Sequence, residues 1–96
     1  MKFVILGKDG PDGPRLRPVH RPAHLARLED WAQKGKIILA GPLTDQTGSL
    51  IVVEAESLEE VQTFAQEDPY ALHGIFQEMT IHPFLQVFPQ ETKVSS

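Results

Sequence analysis

His24 is the side chain best suited to move a proton, since imidazole is the common group that exchanges protons near neutral pH. It shares a helical spacing with Leu28 and Trp31 and so should face inward from the first turn of a helix, beside its positive end. A core histidine bonded to a backbone carbonyl would show the same spacing. Asp68 falls four residues after Phe64 and seven after Val61, which continues the apolar face of a second helix. A carboxylate at a helix C-terminus is electrostatically unfavourable, so its placement asks for a partner. An ordinary Asp68-Pro69 turn is the alternative. If the two residues meet, the carboxylate would fix the tautomer of the imidazole. They lie at opposite ends of their helices, so contact requires antiparallel axes or a loop that folds back.

Other groups could hold a substrate. Arg15, Arg17 and Arg21 surround a long Gly- and Pro-rich stretch and could grip a carboxylate or phenolate, for which the guanidinium fork is suited. Arg21, beside the expected helix start, is the best placed; solvated loop charges are the plain alternative. Tyr70 could close a pocket and donate from its hydroxyl, or serve as a half-buried structural aromatic. Ser49, after Gly48, could bond a ligand or simply form the turn. His20 and His24 are four apart, which is a metal-ligand spacing, but Pro22 intervenes and no acidic third ligand is near in sequence. No metal and no cofactor is expected. There is no Gly-x-Ser-x-Gly elbow, no phosphate loop and no dinucleotide fingerprint.

The elements that must position these groups follow from the apolar pattern. Residues 2–7 read as a buried strand and Lys8 to His20 as a loop. A helix spans about 22–34, with Pro22 in its first turn and Gly35 as its cap. Residues 36–40 and 49–54 read as a hairpin closed by a turn of about five residues. Ser57-Leu58-Glu59-Glu60 is a capping box for a helix that ends near Glu67, before Pro69. Residues 75–88 alternate as a last strand, with Pro83 marking a break or an edge. The order β-α-β-β-α-β predicts an α+β ferredoxin-like fold, a four-stranded antiparallel sheet with two helices on one face.

The chain has 96 residues, enough for one domain over 1–88 with a polar tail at 89–96. Nine basic against thirteen acidic side chains give a net charge of −4, which argues against nucleic acid as a partner. With no cysteine, disulfides, thiolate catalysis and thiolate metal sites are excluded. No apolar run reaches the ~20 residues of a membrane span, and no secretory leader is expected, so a cytoplasmic protein is the expectation. Strand residues facing away from the helices include Ile, Val and Phe. That open face predicts a homodimer with sheet faces packed together.

Several segments resemble a known family. They are Arg21-Pro22-Ala23-His24-Leu25-Ala26-Arg27-Leu28, Ala40-Gly41-Pro42-Leu43, Gly48-Ser49-Leu50, Glu54-Ala55-Glu56-Ser57-Leu58-Glu59-Glu60, Asp68-Pro69-Tyr70 and Pro83-Phe84. Together they look like the YciI-like (YCII-related) family across nearly the whole chain. The stretch Lys8 to His20 departs from the family's tidier pattern. The resemblance implies a dimeric α/β barrel similar in architecture to muconolactone isomerase, and a His–Asp centre, here His24 and Asp68. One branch resembles a dehydrochlorinase of chlorinated hydroxyquinols. The expectation is a small cofactor-independent lyase or isomerase acting on a small cyclic or aromatic compound. His24 and Asp68 would be catalytic, with Arg21, Tyr70, Ser49 and Arg17 contacting substrate. A non-catalytic dimeric ligand-binding module is the main alternative, and a cofactor-independent oxygenase a third reading.

Overall fold

The computed structural model describes residues 1–90. Strand β1 covers Lys2–Asp9, helix α1 Gly13–Gln33, β2 Ile37–Pro42, β3 Gly48–Glu54, α2 Leu58–Gln66, a short α3 Pro69–Leu72, and β4 Phe76–Phe84. The strands form one sheet in the order β2-β3-β1-β4, each antiparallel to its neighbours. This is the ferredoxin-like α+β arrangement that the element order predicts. The directions of the helices follow from it. Strands β1 and β2 run the same way, so α1 returns against them. Strands β3 and β4 run the opposite way, so α2 returns antiparallel to α1. The first half of α1 therefore lies beside the end of α2.

Alternation along the two central strands divides the sheet. Phe3 and Ile5 of β1 and Ile51 and Val53 of β3 point to the helices and form the core with Ala55, Val61, Phe64 and Ala65. Trp31 of α1 stacks on Phe64 of α2 at 3.9 Å between ring centres, which joins the two helices over that core. The other parity pairs Val4 with Val52 and Leu6 with Leu50 on the face the helices leave open. Leu6 and, on β2, Leu39 are exposed there. The hairpin loop between β2 and β3 is five residues, as predicted, with the Leu43 N–H donating to the Gly48 carbonyl at 2.8 Å. The capping box also forms. Ser57 Oγ accepts from the Glu60 N–H at 3.1 Å, and the Glu60 carboxylate accepts from the Glu56 N–H at 3.0 Å.

Three features differ from the sequence reading. The stretch taken as a loop from Lys8 to His20 is strand through Asp9 and helix from Gly13, so Arg15, Arg17 and His20 are helical and α1 begins well before residue 22. Pro14 and Pro18, which suggested a loop, and Pro22, which suggested a helix start, sit four apart along α1 and are all exposed. The N–H missing at Pro18 would have bonded the Pro14 carbonyl, and that missing at Pro22 the Pro18 carbonyl. The lost bonds thus fall along one exposed stripe, where the freed carbonyls are open to solvent. The opposite side of the same turns is tied down by side-chain contacts described below. Second, β4 ends at Phe84, and Leu85, Val87 and Phe88 lie exposed beyond it. As an edge strand, β4 tolerates Pro83. Third, Leu25, at helical spacing with Leu28 and Ala32, and Leu58, three before Val61, are exposed although that spacing suggests buried helix faces. Of the expected tail at 89–96, residues 91–96 lie outside the described residues.

Candidate active site

Antiparallel packing of α1 and α2 brings His24 and Asp68 together from 44 residues apart. His24 Nδ1 lies 2.9 Å from both Asp68 Oδ1 and Oδ2. A carboxylate only accepts, so Nδ1 carries a hydrogen, and in the neutral ring Nε2 carries the lone pair. Both residues are buried, His24 to 7% exposure and Asp68 to 2%. His24 lies in the middle of α1, not in its first turn as the shorter helix implied, so the helix end does not act on it. Asp68 also has a different setting from the one expected. It follows α2 and is the N-cap of α3, where its Oδ1 accepts the Tyr70 N–H at 2.8 Å. A carboxylate is favoured at that position, and the apparent misplacement at a helix C-terminus disappears.

Tyr70 follows from the same cap. Its ring stacks on the imidazole at 3.9 Å with the planes 4° apart, and meets Phe76 edge-on at 5.6 Å. Ile75 and Phe76 complete a second apolar cluster around it, against which Leu16 and Met79 pack. Among the described residues no side-chain nitrogen or oxygen is both buried and unpartnered. His24 Nε2 and the Tyr70 hydroxyl make no hydrogen bond to any described residue, so both reach solvent-accessible space. That space is a cleft of roughly 150 Å³ between α1 and the ends of β2 and β3, lined by Arg17, Arg21, His24, Ser49 and Tyr70. It shares Arg17, Arg21 and Pro42 with a neighbouring hollow of roughly 360 Å³ under the β2–β3 loop.

Five of the six expected residues, Arg17, Arg21, His24, Ser49 and Tyr70, line this cleft, and Asp68 stands behind His24. Arg17 Nε and Nη2 donate to Asp9 Oδ2 and Oδ1, each at 2.8 Å, and Nη2 also donates to Ser49 Oγ at 2.9 Å. The Asp9 carboxylate beside it raises the already high pKa of Arg17 further. Asp9 is the residue that sequence reasoning missed. It was grouped with turn-forming residues, yet its side chain is buried at the end of β1. A Cβ on Gly13 would come within 2.6 Å of its carboxylate, which explains the glycine at the start of α1. Arg21 lines both hollows and pairs with no carboxylate among the described residues. Arg15 stays outside, exposed and 3.4 Å from Asp12. His20 and His24 share the helix, contrary to expectation, but the His20 ring stacks on His73 at 3.9 Å. No group of three or more metal-ligating side chains gathers among the described residues.

The chain is similar to several known proteins. Protein YciI of Escherichia coli is 37% identical over 98 residues, covering 92% of this chain and all of the relative. A protein of Haemophilus influenzae is 31% identical over the same span, with the same coverage. Among solved structures, the 5-chloro-2-hydroxyhydroquinone dehydrochlorinase TftG of Burkholderia phenoliruptrix AC1100, in complex with 2,5-dihydroxybenzoquinone, superposes with a TM-score of 0.79. It is 35% identical, and the match covers 88% of this chain and 94% of the enzyme. Residues 1–85 match the YCII-related domain, and the chain belongs to that family.

Proposed function

We propose that this protein is a cofactor-independent lyase or isomerase that moves protons on a small cyclic or aromatic compound, with His24 as general base and acid and Asp68 as its orienting partner. The observation that carries the reading is the imidazole with Nδ1 committed to a buried carboxylate and Nε2 open to a cleft. This is the arrangement a general base requires. The similarity to a dehydrochlorinase supports the class of chemistry. On a chlorinated hydroquinone, Nε2 would take a proton from a ring hydroxyl and return it to the chlorine-bearing carbon. Loss of a second hydroxyl proton would then expel chloride and leave a quinone, so that the elements of HCl depart in all. Tyr70, Arg21, Ser49 and Arg17 border the space such a ring would occupy.

Chloride release from 5-chloro-2-hydroxyhydroquinone, followed by a wider panel of phenols and lactones, tests this. For any compound turned over, His24→Ala should lower kcat by about 10²–10⁴-fold. An unchanged rate would remove His24 from the chemistry. Tight binding of such compounds with no turnover would favour a ligand-binding module. The open sheet face, with Val4, Leu6, Leu39 and Leu50, supports a homodimer packed sheet to sheet, which sedimentation at micromolar concentration would detect as twice the chain mass.

A further inference from the structure

The Asp9–Arg17 pair is more than a strut for α1. A guanidinium has five N–H donors. Three are spent: one from Nε and one from Nη2 on Asp9, and the second from Nη2 on Ser49. The two on Nη1 have no partner among the described residues, and since no unpartnered side-chain atom is buried among them, Nη1 reaches the accessible space that Arg17 lines. The guanidinium lies over the Tyr70 ring, 5.0 Å from its centre, and Tyr70 in turn stacks on His24. Guanidinium, phenol and imidazole therefore form one continuous wall. Arg21, one turn further along α1 and without a carboxylate partner among the described residues, borders the same space.

We infer that Nη1 of Arg17 and the Arg21 guanidinium form an anion-recognising subsite beside His24, selecting ring compounds that carry a negatively charged oxygen, a phenolate or a carboxylate. Asp9 is its positioning residue. Bidentate pairing holds the fork in one orientation, so little side-chain entropy is lost when the anion arrives. The inference deepens the proposed acid–base reading, because it names the class of compound that would be presented to Nε2.

The test is calorimetric binding at pH 7.5 of two probes of similar shape. These are 2,5-dihydroxybenzoquinone, an acid that is anionic there, and 2,5-dimethoxybenzoquinone, which has no ionisable oxygen. The wild-type protein should bind the acid at least about 10-fold more tightly, which is about 1.4 kcal/mol. The double variant Asp9→Asn/Arg17→Gln removes both charges together, so that no buried charge is left unpaired. With Arg21→Gln added, it should bring the ratio of the two affinities close to one. Arg17→Lys keeps the charge but loses the fork, and should lower the ratio about fivefold or more. His24→Asn should leave the ratio unchanged, which keeps this test separate from the acid–base reading: loss of turnover alone concerns His24, loss of discrimination alone concerns Arg17. Equal affinity of the wild-type protein for both probes, no binding of the dihydroxyquinone, or a wild-type ratio in Arg17→Lys would overturn the inference.

Discussion

Replacing Asp68 by Asn should invert the imidazole. The carboxylate has two jobs: both oxygens take the Nδ1–H of His24 at 2.9 Å, and Oδ1 caps α3 through the Tyr70 N–H at 2.8 Å. Asparagine is as good an N-cap as aspartate, so its oxygen keeps the second job. Its NH2 group then faces Nδ1. With Oδ1 already accepting the Tyr70 N–H, the ring should move its hydrogen to Nε2 and accept from the new NH2 group at Nδ1. The nitrogen that opens on the cleft loses its lone pair. The stability cost is that of one hydrogen bond to a charged group, about 1.5–3 kcal/mol. For a domain of this size that lowers Tm by roughly 6–24 °C. Activity should fall by about 10³–10⁴-fold, the scale of a wrong-tautomer dyad. Long-range 1H–15N NMR distinguishes the two tautomers directly, and a thermal melt and a rate measurement complete the assay. Retention of the Nδ1–H tautomer together with an unchanged rate in Asp68→Asn would refute the reasoning.

Three further outcomes are expected. The Lys36 ammonium holds the Glu60 carboxyl below its ordinary 4.5, so the pair adds stability above that pH and loses it as pH falls through the lower folded value. Melting curves should accordingly show the advantage of wild type over Glu60→Gln at pH 7 shrinking below about pH 4.5. Ser57→Ala removes the side-chain cap of α2 and should cost about 1 kcal/mol, read as a fall in Tm of about 4–8 °C. In Gly48→Ala the new Cβ would meet the Gly7 carbonyl oxygen at 1.9 Å, so the central strand pair must separate. Denaturant titration should show a loss of about 3 kcal/mol or more.

The sheet and α2 were legible because their signals are local. Ser57 and Glu60 are three residues apart, and the hairpin turn lies between two β-branched runs. The start of α1 was not. Pro18 and Pro22 are strong breakers by local rules, and what outweighs them is distant: Arg17 on Asp9, Leu16 on the Tyr70 cluster and His24 on Asp68. The site was partly legible. His24 and Asp68 stood out because each is polar on an apolar face, but whether they meet depended on helix directions that only the strand order fixes. Asp9 was hidden because a lone aspartate next to Gly10 and Pro11 has the chemistry of a turn. Only the first turns of α1, themselves unrecognised, give it a partner.

The two-residue alternation of β1 and β3 also decouples how the protein can diverge. Phe3, Ile5, Ile51 and Val53 answer to the core, and Ser49, on the same row of β3, answers to the cleft through Arg17. Val4, Leu6, Leu50 and Val52 answer only to whatever covers the open face. A mutation at one of these even positions leaves the geometry around His24 intact, and a mutation in the cleft leaves the open face intact. Descendants of such a chain can therefore alter the open face while keeping the cleft, or alter the cleft while keeping the open face. Each change takes single substitutions on one parity, with no need for compensation on the other.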